Sequence, residues 1–115
     1  MGYYTEYNLV VKDRETGSTI DPVNIIKELE RRYEICGIFK ADGSWDNHSK
    51  WYDYKEDMCE FSRLYPDYLF ELTGLGEDSA DIWKAWFLNG KMQKERATVF
   101  HGTFNIEKLK YSDNL

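Results

Sequence analysis

Apolar and polar residues alternate from the start of the chain. Over residues 3–12, Tyr3, Thr5, Tyr7, Leu9 and Val11 fall on one side, and Glu6, Asn8 and Lys12 on the other. A period of two marks a half-buried strand, and the polar run 13–19 closes it. The period then lengthens: Ile25, Ile26, Leu29 and Tyr33 recur at helical spacing behind Asp21-Pro22. Asp21 suits the cap, Pro22 the first helical position, and Ile20 is placed to pack on Ile25, with Gly37 as the stop. The charged residues from Lys27 to Arg32 form the solvated face.

Residues 38–40 and 50–53 read as short strands around an Asp42-Gly43 turn. A second helix carries the stripe Tyr54, Met58, Phe61 and Tyr65, with Asp53 and Glu56 at capping-box spacing and Pro66 at its end. Tyr68, Phe70 and Leu72 alternate with Leu69, Glu71 and Thr73 as a further strand, which Gly74-Leu75-Gly76 is expected to break. Asn89-Gly90 separates the runs 82–88 and 91–100 and predicts a two-residue hairpin turn. That register sets Lys84 opposite Glu95 as an ion pair and Trp83 opposite Arg96 as a cation–π pair. A short helix over 79–88 is the competing reading, and a helical turn is expected after Asn105.

The predicted order is β-α-(β)-β-α-β-β-β in a single domain, 1–115. Its class is α+β, a single antiparallel sheet with two helices packed on one face and the other face partly open. At 115 residues the chain buries roughly two thirds of its unfolded surface, enough for a core without staples. Aromatic residues make up 17% of it, a share that favours strands and large buried side chains.

Charge adds a second pattern. Of the net charge of −6, residues 42–81 hold eleven acids against three bases, a local −8, while 82–115 carry +3. Such a balance opposes binding to a phosphate backbone, so direct nucleic-acid contact is not expected. The chain has no long apolar run, and strand-like residues begin at Tyr3, which leaves no room for a leader; a cytoplasmic protein with reduced Cys36 and Cys59 and no membrane contact is expected.

Familiar chemistry finds no motif. His48 and His101 stand apart from each other and from the cysteines, so no metal site or cofactor is expected. Gly74-x-Gly76 lacks the third glycine and the lysine of a phosphate loop. Cys59 sits beside Glu60 without the positive surroundings that activate a thiolate. Glu77, Asp78 and Asp81 are a sharper cluster, able to meet a cation or a basic partner, but they lack the spacing and glycine of a calcium loop and a solvated loop is the plainer reading. Of Trp45, Trp51, Trp83 and Trp86, one or two are expected to be exposed. The chain is read as non-enzymatic.

Lys50-Trp51-Tyr52-Asp53, Tyr65-Pro66-Asp67, Gly74-x-Gly76-Glu77, Asp81-Ile82-Trp83 and Phe87-x-Asn89-Gly90-Lys91-Met92-Gln93 together resemble a family of small proteins of bacteriophages and prophages. The chain is similar, more distantly, to a ferredoxin-like domain of a plasmid-borne bacterial family. The resemblance covers the middle and C-terminal halves and the opening Gly-Tyr-Tyr-Thr. It implies a mobile-element setting and a ferredoxin-like fold, and it assigns no catalytic residue.

In that setting the leading expectation is an accessory protein that binds a host protein with a basic surface, as an inhibitor of host defence (anti-CRISPR-like or otherwise). Its contact face would comprise Asp53, Glu56, Asp57, Glu77, Asp78 and Asp81 with Trp51 and Trp83. The alternative is a module that binds a nucleotide or other small molecule on the open sheet face, with Trp51 or Trp83 stacking and Lys84 or Arg96 on a phosphate. A free sheet edge also makes a homodimer an option.

Overall fold

A computed structural model describes residues 5–35, 37–46, 51–76, 81–97 and 103–111. The elements run β1 (Thr5–Asp13), β2 (Thr19–Ile20), α1 (Val23–Tyr33), α2 (Tyr54–Leu64), β3 (Tyr68–Gly76), β4 (Ile82–Leu88) and β5 (Lys91–Arg96), followed by a 3-10 turn, Ile106–Lys108. The strands form one sheet in the order β2-β1-β3-β4-β5, with every pairing antiparallel. Both helices lie between β2 and β3 in the chain. The α+β class and the single antiparallel sheet match expectation. The ferredoxin-like arrangement does not, because that fold divides its helices between two split β-α-β units.

The alternation read from the sequence sorts the sheet into two faces. Tyr7, Leu9, Val11, Phe70, Leu72, Trp83, Ala85 and Phe87 are buried with Ile25, Ile26 and Leu29 of α1 and Met58 and Phe61 of α2. Burying side chains of this size contributes about 1.5–3 kcal/mol each. Tyr33 of α1 meets Phe61 of α2 edge-on at 6.2 Å, so the helices lie side by side over this face. No described helix covers the other face, where Val10, Leu75 and Ile82 stay exposed.

Several local expectations change. Asp21 accepts the Val23 N–H at 3.1 Å, and Pro22 lies just ahead of the first helical residue. The helix ends at Tyr33, where Glu34 takes a left-handed conformation (φ 55°) and returns its N–H to Glu30, so Gly37 is not the stop. Asp53 makes no side-chain cap to α2, and the capping box is absent. Residues 51–53 are no strand. Of residues 38–40, only Phe39 bridges, to Trp45. The Asp42-Gly43 turn forms, and Gly43 accepts the Leu9 N–H at 2.8 Å, extending cover along the β1 edge beyond β2.

β3 runs through Gly74 to Gly76. Gly74 does not break the strand because its missing side chain is filled: a Cβ there would fall on the indole of Trp83. The hairpin turn and its register are as predicted, but β5 ends at Arg96, residues 98–100 of the expected strand lie outside the described residues, and Lys84 lies over Trp86 without an ion pair to Glu95. Asn89 and Gly90 both take positive φ (47° and 85°), the condition for a two-residue turn that matches strand twist. The register sets Lys84 opposite Glu95 and Trp83 opposite Arg96. β4 is therefore a strand, not the competing helix.

Candidate functional site

The tryptophans of the expected contact face are core. Trp51 and Trp83 are each only 5% exposed, which corrects their assignment as partner-contacting or ligand-stacking residues. Trp51 lies edge-on to Tyr7 at 5.6 Å and to Phe39 at 6.1 Å. Trp83 stacks on Tyr54 with centroids 4.9 Å apart. Aromatic pairs of this kind add about 0.5–1.5 kcal/mol beyond their buried area. The high aromatic content thus goes into a cluster under the start of α2.

The acids divide by role. Asp53 and Glu56 are exposed at the first turn of α2, with no ion pair among the described residues. Asp57 turns inward and accepts the Trp51 indole N–H at 2.8 Å. Burial pushes its pKa above the ordinary value; the Trp51 bond opposes this and the charges of Asp53, Glu56 and Glu60 add to it. Asp81 pairs with Arg96 at 2.8 Å. Glu77 and Asp78 lie outside the described residues.

The remaining acids of the 42–81 excess are spread out. Glu71 lies on the open sheet face and accepts from Lys12 and from the Trp86 indole, each at 3.2 Å. Glu60 accepts the Tyr33 hydroxyl at 3.0 Å and faces Arg32 at 3.8 Å. Asp42 holds its own turn through Ser44. The acidic segment therefore forms no single surface.

One part of the expected site does converge. Tyr54 feels the charges of Glu56 and Lys55 on its own helix and of Asp81 and Arg96 across the sheet, while burial raises its hydroxyl pKa most strongly. The start of α2 and the start of β4 thus meet around this ring. Lys94, which the sequence did not single out, completes the corner. Its ammonium sits 4.6 Å over Trp83 and donates to the Tyr54 hydroxyl at 2.8 Å. Burial and Arg96 lower its pKa, with Asp81 opposing. The cation over Trp83 is Lys94, since Arg96 turns to Asp81. Tyr52 stands at the rim, 73% exposed.

Searches of family models, of curated proteins and of solved structures return no match to this chain. Function is therefore argued from the geometry.

Among the described residues, no group of three or more His, Cys, Asp or Glu side chains is placed to hold a metal ion. Among them, too, no helix is long and apolar enough to cross a membrane. Burial pushes the Cys59 thiol upward, helped by Glu56 and opposed by Arg63, which leaves it a poor nucleophile. Several shallow depressions lie among the described residues. One of about 270 Å³ lies at the end of the β4–β5 hairpin, among Thr73, Ile82, Lys84, Glu95 and Arg96.

Proposed function

We propose that this chain is a non-enzymatic protein-binding module whose contact surface is the mixed-charge corner at the start of α2. The observation that carries this reading is the exposure of Tyr52 beside Asp53 and Glu56, two acids without a partner among the described residues. An aromatic side chain supplies contact area at low entropic cost, and flanking charge sets the encounter rate and excludes wrong partners. The buried aromatic cluster beneath holds this corner in place. A basic surface is the partner chemistry that Asp53 and Glu56 fit. The phage-protein resemblance supplies a setting in which that partner belongs to the host and the outcome is inhibition of a defence system.

The test is capture from host lysate on immobilised protein, with Tyr52→Ala and the double reversal Asp53→Lys/Glu56→Lys as controls. Loss of a captured protein in both variants, together with weaker capture as salt rises, is the expected result. Capture that both variants retain, or no capture by the parent chain, removes the reading.

The depression at the end of the hairpin favours a second reading, a small anionic ligand held near Lys84 and Arg96. It is the weaker one, because Arg96 is already paired with Asp81 and Trp83 gives no exposed ring. A clear rise in melting temperature with nucleotides would favour it.

A further inference from the structure

Each of the nine residues of the segment 103–111 is exposed. It nonetheless carries four large apolar side chains, with Phe104 75%, Ile106 71%, Leu109 63% and Tyr111 84% exposed. They fall in two pairs, Phe104 with Ile106 and Leu109 with Tyr111, on either side of Glu107 and Lys108, and Asn105 accepts the Glu107 N–H at 2.9 Å. A solvated tail needs no such side chains; an arm that docks does.

The same chain presents a surface with a matching order. On the open face, Leu75 and Ile82 pair across β3 and β4 and are both exposed. Leu69 and Leu88 lie at the opposite end of the same two strands, half-buried. Between these apolar ends run two mainly polar rows in register across β3, β4 and β5, Thr73–Lys84–Glu95 and Glu71–Trp86–Gln93, the Trp86 indole tied to Glu71. Apolar, polar, apolar is also the order of the tail, with Glu107 and Lys108 at its centre. Nine residues extend to at most about 30 Å, while the six-residue step along β3 from Leu75 to Leu69 spans roughly 20 Å. The tail carries +1 and the rest of the chain −7, so attraction is not opposed by charge.

We infer that two copies of this chain exchange tails, each tail lying across the open sheet face of the other. Four side chains of these types expose together about 500 Å². Two tails and the two faces they cover then bury on the order of 2,000 Å², within the range of stable interfaces. The arrangement is isologous and closes with two-fold symmetry. It leaves the corner at the start of α2 free, so it does not depend on the proposed partner site.

Light scattering coupled to size exclusion, with circular dichroism to confirm folding, tests it. The parent chain is expected at twice 13.7 kDa. A tail variant, Phe104→Asp/Leu109→Asp, and a face variant, Leu75→Lys/Ile82→Glu, are each expected to be folded monomers. Mixing the two restores one intact tail–face contact, and a dimer peak is expected to return. A parent chain that stays monomeric at its highest soluble concentration overturns the inference, whether its tail amides exchange freely or are protected by folding back. A dimer that survives both variants overturns it equally.

Discussion

Asp57 shows how one side chain serves the core at a cost that pH exposes. Its carboxylate accepts from Trp51, but burial and three neighbouring acids raise its pKa above the ordinary 3.8. A carboxyl whose folded pKa is raised holds its proton longer in the folded chain, so stability falls as pH climbs from 3.8 through the raised value. Asp57→Asn keeps an acceptor for the indole without the charge. Thermal melts are expected to show it at least as stable as the parent at pH 7, with the gain vanishing below pH 3.8. Asp57→Ala leaves a buried indole N–H unpaired and is expected to cost about 1–3 kcal/mol.

Gly74 is fixed by a neighbour rather than by its own backbone. The Trp83 ring fills the space where a Cβ would stand, and that ring is held in turn by Tyr54 and Lys94. Gly74→Ala is expected to lose about 1–3 kcal/mol through overpacking, read from urea denaturation. A change within experimental error would show that Trp83 moves freely. From the sequence, Gly74-Leu75-Gly76 reads as a breaker because glycine is a frequent one, and the ring that requires it is nine residues away. Trp83 itself reads as a ligand platform for the same reason: which face of β4 is covered is settled only when α2 packs.

At the scale of elements, the hairpin was the most legible part. Asn89-Gly90 states its turn chemistry locally, and the turn then dictates the pairing of Trp83 with Arg96 and Lys84 with Glu95. The α1 and α2 stripes were legible for the same local reason. Residues 38–46 and 51–53 were not, because their order comes from groups outside the segment, such as Leu9 on Gly43 and Asp57 on Trp51. The attachment of the hairpin to α2 was hidden as well. Ser62 is wholly buried, donates to the Cys59 carbonyl and accepts the Gly90 N–H, both at 2.8 Å. Ser62→Ala is expected to destabilise by about 1–3 kcal/mol and to speed amide exchange in β4 and β5 more than in β1. Equal acceleration in all strands would mean that the tether does not control hairpin opening.

At the scale of the whole molecule, the candidate site was half legible. Asp53, Glu56 and Asp81 were singled out from charge alone, but the approach of Glu56 and Asp81 around Tyr54 depends on β4 starting beside α2, which no local pattern encodes. The scatter of the other acids was invisible for a related reason, since Lys12 and Arg32 reach Glu71 and Glu60 only through the sheet and the helix pair. The same architecture orders stability across the molecule. β3 is central, paired over nine residues with β1 and six with β4, and its inward side chains Phe70 and Leu72 are fully buried. β5 is an edge whose outward residues Lys91, Gln93 and Glu95 are exposed. Native-state amide exchange reports such differences as separate opening units. β3 amides are therefore expected to exchange only by global unfolding, with a denaturant dependence equal to that of the equilibrium transition. β5 amides are expected to exchange faster and with a shallower dependence, through opening of the edge alone. If β5 exchanged as slowly as β3, the sheet would open as one piece, and the edge would be held by more than its ladder and Ser62.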